Sequence, residues 1–257
     1  MYRNTASGRD LKLISDICSM TTRDRIQHML HGIIQPIVKA CISVGLTPNG
    51  VTTIGLVLNL CVAGVFILGA EKGARGDLSY IGWGGALILF AGLFDMIDGQ
   101  VARIGKMSSR FGALYDSVMD RYSELVMFLG ICYYLVAHHY FFSSMIAFVA
   151  LIGSMMVSYT RARAESLGIP CKDGLMQRPE RVIIIGLSAI ACGINAHYNG
   201  GSSSWDIPVF DVRVESISVF TIPLSLVAVL ANYTAFQRMY ICYRFLEKQE
   251  AESEVAA

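Results

Sequence analysis

Ile81-Gly-Trp-Gly-Gly-Ala-Leu-Ile-Leu-Phe-Ala-Gly-Leu-Phe94 runs without a charge into Asp95-Met-Ile-Asp98-Gly99-Gln-Val-Ala102-Arg103. After eight intervening residues the chain reads Gly112-Ala-Leu-Tyr-Asp116-Ser-Val-Met-Asp120. It turns apolar again over Leu125-Val-Met-Phe-Leu-Gly-Ile-Cys-Tyr-Tyr-Leu-Val-Ala137. Long apolar runs of this kind read as membrane-spanning helices, and acids in or beside such helices are costly enough to imply use. The decisive feature is therefore a group of four aspartates at the ends of two spans.

Working outward, the whole chain is apolar. Of its 257 residues 54% are hydrophobic and 16% charged, against about 25% charged in a typical soluble protein. The mean hydropathy is +0.50. A formal net charge of +1 gives no basic surface for nucleic acid. The seven cysteines are scattered, with no Cys-x-x-Cys, and read as small buried hydrophobes. No apolar core followed by a cleavage site occurs in the first 45 residues, so no signal peptide is expected.

Six segments have the length and composition of spans: Val51–Ala70, Ile81–Ala102, Phe111–Ala137, Phe141–Ala162, Val182–His197 and Ile217–Tyr240. Upstream, apolar positions between Ile26 and Leu46 recur at helical spacing, which predicts an amphipathic helix lying in the interface. The expected fold is an all-α integral membrane protein with six transmembrane helices preceded by an interfacial amphipathic helix. Residues 1–46 form the N-terminal segment, 47–245 the six-helix domain, and 246–257 an acidic flexible tail. Asn49, after Thr47-Pro48, is read as a cap for the first span. Lys and Arg concentrate in alternate loops, around Arg103, Lys106 and Arg110 and again from Arg161 to Arg181. The positive-inside rule then places both termini and the aspartates at the cytoplasmic face of an inner membrane.

Asp95 and Asp98 are spaced i,i+3 and Asp116 and Asp120 i,i+4, so each pair shares a helix face. The short turn between the helices brings the two faces to one depth. Four carboxylates together repel unless a cation lies among them. All-oxygen donors suit Mg²⁺ or Mn²⁺, and two such ions could hold a diphosphate. Gly99, Ala102 and Gly112 keep the facing surfaces low, and Arg103 can meet a phosphate or an aspartate. A proton relay or ion pathway, as in an ion-coupled transporter, is the alternative of a different class.

The pattern Asp95-x2-Asp98-Gly99-x2-Ala102-Arg103-x8-Gly112-x3-Asp116-x3-Asp120 resembles the complete signature of the CDP-alcohol phosphotransferase family. The resemblance extends over roughly residues 30–245. It implies that Asp95, Asp98, Asp116 and Asp120 hold two metal ions and that Asp120 is the general base. It also implies that Asn49, Asp98, Gly99, Ala102, Arg103 and Gly112 line the CDP site, and that the protein is a homodimer in membrane lipid. The reaction implied is attack of an alcohol on the lipid-side phosphate of a CDP-diacylglycerol-type donor, with release of CMP. The segments carrying Arg161, Arg163, Arg178 and Arg181 resemble those of the bacterial phosphatidylinositol-phosphate synthase subgroup. That implies a phosphorylated polar alcohol, inositol 1-phosphate, as acceptor. Glycerol 3-phosphate presents the same phosphate and is the alternative.

Overall fold

The structure is a computed structural model that describes residues 35–171, 174–201, 204–207 and 212–256. Residues 35–43 form α1. They are followed by α2 (Pro48–Lys72), α3 (Ser79–Ile104), α4 (Arg110–Ala137), α5 (Phe141–Ser166), α6 (Arg178–Tyr198) and α7 (Ser218–Ala256). Between α6 and α7 a two-stranded antiparallel hairpin pairs β1 (Ser204–Ile207) with β2 (Val212–Glu215). Among the described residues, α2, α3, α5, α6 and α7 are long and apolar enough to cross a membrane. The 28-residue α4 is long enough too, but Asp116, Asp120, Arg121 and Glu124 interrupt its first half.

The helices close a ring in the order α2, α3, α6, α7, α5, α4, each packed on its two neighbours. Phe66, Phe128, Tyr134, Ile131 and Phe220 fill its centre. Large apolar side chains also point outward, including Phe90, Leu129, Phe148, Leu187 and Val229. A soluble protein rarely exposes such a continuous surface, and lipid is the solvent that suits it. Where apolar side chains gain nothing by leaving lipid, close backbone approach drives association. Gly130 shows this: a Cβ there would stand 2.7 Å from the Cα of Ala63, so α2 and α4 meet only because the side chain is absent.

Two of the turns close in the same way. The α3–α4 turn ends α3 in a Schellman motif, with Met107 N–H donating to Ala102 O at 2.9 Å and Lys106 in the left-handed region at φ 53°. At the far end of α4, His139 (φ 64°) does the same, with Tyr140 N–H donating to Leu135 O at 2.7 Å. Glycine normally takes this position, and at Lys106 and His139 the hydrogen bonds of the turn offset the cost of a side chain there. Beside this second turn, Tyr140 donates to Glu215 at 2.8 Å and Arg75 lies over its ring at 4.9 Å. Burial and the neighbouring Glu215 push the Tyr140 phenol above its ordinary range. This brace ties the hairpin to the end of the bundle remote from the aspartates.

Several expectations change. The all-α reading omits the hairpin. The segment through residue 34 of the expected interfacial helix lies outside the described residues, while α1 buries Val38 against Val51, Ile97 and Val101. The side chain that caps α2 is Thr47, which accepts from Gly50 N–H at 3.2 Å; Asn49 lies inside the first turn. The expected flexible tail from residue 246 is instead helical to Ala256, with pairs Arg244–Glu247 and Lys248–Glu252 at i,i+3 and i,i+4 spacing. His138, at the end of α4, is buried against Gly69 O at 3.1 Å.

Gly130→Val should force α2 and α4 apart. Thermal unfolding in detergent is expected to show a loss of about 1–3 kcal/mol, the usual cost of overpacking, and an unchanged melting curve would contradict this packing.

Candidate active site

The C-terminal end of α3 and the N-terminal end of α4 meet beside the start of α2. Ser109 caps α4 by accepting from Gly112 N–H at 2.9 Å, and Ser108 Oγ donates to Ala102 O at 3.2 Å. These bonds fix the turn and set the two acidic faces opposite each other. Asp98 is buried; its Oδ2 accepts from Thr52 Oγ1 at 2.8 Å and its Oδ1 from Gly99 N–H at 2.5 Å. A cavity of about 200 Å³ opens here, lined by Asn49, Thr52, Asp98, Gly99, Ala102, Gly112 and Asp116 among others. A Cβ on Gly112 would come within 3.0 Å of Ser109 Oγ and 3.3 Å of Asn49 Oδ1, so the bare backbone keeps this wall open. Arg103 stands aside: its Nε donates to Gly99 O at 3.0 Å, along its own helix.

Asp95 and Asp120 lie on the other side of the site, bridged by one side chain. Arg178 reaches Asp95 Oδ2 at 2.9 Å and Asp120 Oδ1 at 2.5 Å, and donates to the main-chain oxygen of Asp120 at 3.4 Å. Gly55 leaves room for this arrangement, since a Cβ there would be 3.1 Å from Asp95 Oδ1. Arg178 is the first residue of α6, followed by Pro179, which suits a helix start. One turn later Arg181 is 1% exposed and donates to Glu124 Oε1 from Nε at 3.1 Å and Nη2 at 3.0 Å, and to Met176 O at 3.1 Å. This buried pair clamps the start of α6 to α4 and so sets where Arg178 points.

A second cavity, of about 420 Å³, adjoins the first through Asp116 and is lined by Arg121, Arg161, Arg178, Arg181 and Arg238 with Asp116, Asp120 and Glu165. The four arginines singled out in the sequence thus separate. Arg161 lines the cavity and pairs with Glu165 at 2.9 Å. Arg178 and Arg181 line it but are engaged by carboxylates. Arg163 does not line it; it is exposed and reaches Ser166 Oγ at 3.4 Å. Arg121 and Arg238 were missed. Arg121, on the acidic face of α4, donates to Ser117, and Arg238 is buried on α7 and donates to Val157 O at 2.7 Å. Glu124, also missed, was legible as the acid one turn beyond Asp120.

The four aspartates face one another, with Asp116 beside Asp98, but they do not close on a single point. Among the described residues, no three His, Cys, Asp or Glu side chains stand together in a way that could hold a metal ion. Asp98 turns to Thr52, while Asp95 and Asp120 turn to Arg178. The chemistry still fits a hard divalent cation: every donor is an oxygen, and a guanidinium already supplies positive charge between two of them.

Glu124→Ala would leave the Arg181 charge buried and unpaired. A loss of about 3–5 kcal/mol in unfolding free energy is expected, and a loss below 1 kcal/mol would show that the clamp does not hold α6.

Residues 45–212 match the CDP-alcohol phosphatidyltransferase family. The chain is 32% identical over 162 residues to the phosphatidylinositol phosphate synthase of Mycobacteroides abscessus, covering 63% of this chain and 70% of that one. It is 32% identical over 175 residues to the enzyme of the same name from Corynebacterium glutamicum, covering 64% and 76%. Its fold is similar to that of Mycobacterium tuberculosis phosphatidylinositol phosphate synthase in complex with manganese and citrate, with a TM-score of 0.64, 27% identity, and 82% and 88% of the two chains covered. The same protein with CDP-DAG bound gives a TM-score of 0.63 at 28% identity, covering 82% and 94%.

Proposed function

The chain belongs to the CDP-alcohol phosphatidyltransferase family, and from that premise we propose that it transfers the phosphatidyl group of a CDP-diacylglycerol-type donor to inositol 1-phosphate, releasing CMP. The observation that carries the acceptor half is the larger cavity, where five arginines face three carboxylates. A free polyol brings only neutral hydroxyls to such a surface, whereas a phosphorylated one also brings an anion that guanidinium groups bind well. The donor half is supported by the smaller cavity, with Asn49, Gly99, Ala102 and Gly112 along its wall and Arg103 at the neighbouring turn. The relatives named phosphatidylinositol phosphate synthase point to the same acceptor.

Asp95, Asp98, Asp116 and Asp120 are the residues that would hold divalent metal, Mg²⁺ or Mn²⁺, in two ions. Such ions, once bound, neutralise a diphosphate and the charge of the departing CMP. The chain's own groups do the rest. Asp120 lines the larger cavity one turn from Asp116, the residue that both cavities share, and in this reading takes the proton of the attacking hydroxyl. The new bond joins that oxygen to the lipid-side phosphorus, and the bond from this phosphorus to the bridging oxygen breaks. Arg161 and Arg178 orient the acceptor phosphate, while Arg181, held by Glu124, adds its charge to the wall with Arg121 and Arg238. Arg163 serves the membrane surface instead.

We read α4 as the sixth span, which puts both termini on one side. The basic loops flank the aspartate end of the bundle, so that end faces the cytoplasm and the protein is a multi-pass protein of the inner membrane. Residues 47–245 form the catalytic domain, and the small-residue helix faces suit a homodimer.

The assay is CMP release and lipid product formation by purified protein in detergent with Mg²⁺ or Mn²⁺ and a panel of acceptors. Turnover with inositol 1-phosphate is expected. Turnover only with glycerol 3-phosphate would reassign the acceptor, and turnover only with free inositol would remove the role of the arginines. Asp120→Asn should abolish turnover while CDP-lipid binding persists. Arg161→Ala should raise KM for the acceptor about tenfold, the loss of one charge-assisted hydrogen bond, with KM for the lipid unchanged.

A further inference from the structure

One guanidinium belongs to two sites. Arg178 bridges Asp95 and Asp120, and it also lines the arginine-rich cavity. As it stands, its head group is turned to the carboxylates. Its ties to Asp95 and Asp120 use both terminal nitrogens, and its buried Nε has no partner. The residue is therefore held by the two carboxylates rather than by a complete bonding cage of its own.

Those carboxylates are the ones that a divalent ion would need. An ion drawn to Asp95 and Asp120 meets a guanidinium already on their oxygens, and two cations at contact distance repel strongly in a site with little water. The ion and the arginine thus compete for the same oxygens. The backbone beneath Arg178 is fixed by the Arg181–Glu124 clamp one turn away. Its head group, on a flexible stem, has the 420 Å³ cavity beside it, which Arg161 also lines.

We propose that Arg178 makes acceptor binding wait for metal: its guanidinium neutralises Asp95 and Asp120 until these carboxylates take up a divalent ion, and then turns to the phosphate of the acceptor in the adjoining cavity. This rests on reading the carboxylates as the metal site and the arginine cavity as a phosphate site. It adds an order of events that neither reading contains. Without metal, the cavity lacks its best-placed phosphate ligand and Asp120 is blocked by an ion pair. With metal, one movement takes the guanidinium off Asp120 and brings it to the cavity.

Coupling of this kind is reciprocal: metal tightens phosphate binding by the same factor as phosphate tightens metal binding. The test measures Mn²⁺ binding by electron paramagnetic resonance on full-length protein in detergent, with and without inositol 1-phosphate, for wild type, Arg178→Gln and Arg178→Lys. Arg178→Gln removes the competitor, so Mn²⁺ should bind about tenfold more tightly than to wild type, within the usual range of coupling between sites. Arg178→Lys keeps a charge that cannot bridge two acids and should fall between them. In wild type, inositol 1-phosphate should tighten Mn²⁺ binding severalfold, and in Arg178→Gln this effect should vanish. If Arg178→Gln is not monodisperse, Arg178→Lys against wild type decides the same question.

Equal or weaker Mn²⁺ binding in the variants, or an undiminished effect of inositol 1-phosphate, overturns the proposal. CMP release by wild type is followed separately. Turnover together with unchanged Mn²⁺ affinities removes the role of Arg178 and leaves the enzymatic reading intact. Absence of Mn²⁺ binding to wild type removes both.

Discussion

The bridge from Arg178 to Asp95 and Asp120 is the interaction on which the rest of the site depends. It joins the end of α3, the start of α4 and the start of α6. Carboxylates at the end of an apolar bundle are tolerable only when neutralised or hydrogen-bonded, since an unpaired buried charge costs several kcal/mol. Asp98 meets that demand through Thr52 and Gly99 N–H, and Asp95 and Asp120 meet it through one arginine. Glu124 and Arg181 repeat the solution one turn deeper. The bundle around them is shaped to let these elements meet, with Gly55 and Gly112 leaving open the places that a side chain would fill.

Much of this was legible in the sequence, for identifiable reasons. The spans carry continuous apolar runs bounded by turns, so α2, α3, α5 and α6 lie where hydropathy puts them, with at most four residues added at either end. The aspartates are spaced for two shared faces, and the structure sets those faces together. What was not legible depends on partners distant in the chain. Nothing local distinguishes Arg161 from Arg163, yet one lines a cavity and the other lies outside it. Arg238 lies 60 residues beyond Arg178 on the last helix and reaches the site only through the packing of α5 on α7. The hairpin was hidden behind Gly200-Gly-Ser-Ser-Ser204, which reads as loop. The last stretch of α7 was misread because its acidity suggested fraying, although Arg244–Glu247 and Lys248–Glu252 are spaced to support a helix.

The two ends of the molecule divide the work. At the remote end, Tyr140, Glu215 and Arg75 brace turns and hairpin with ordinary structural bonds. At the other end, two cavities of unlike character share Asp116. The smaller has carboxylates and bare backbone, and the larger is dominated by guanidinium groups. A donor carrying a diphosphate and an acceptor carrying its own phosphate ask for that division. Membership of the CDP-alcohol phosphatidyltransferase family gives the reaction class, and the arginines supply the reason for choosing a phosphorylated alcohol within it.

That choice is the central claim, and phosphorus-31 NMR of the lipid product tests it most directly. Purified protein is given CDP-diacylglycerol with equal concentrations of inositol and inositol 1-phosphate. The account predicts a product with one phosphodiester and one phosphomonoester resonance of equal intensity. A product showing the phosphodiester alone would contradict it.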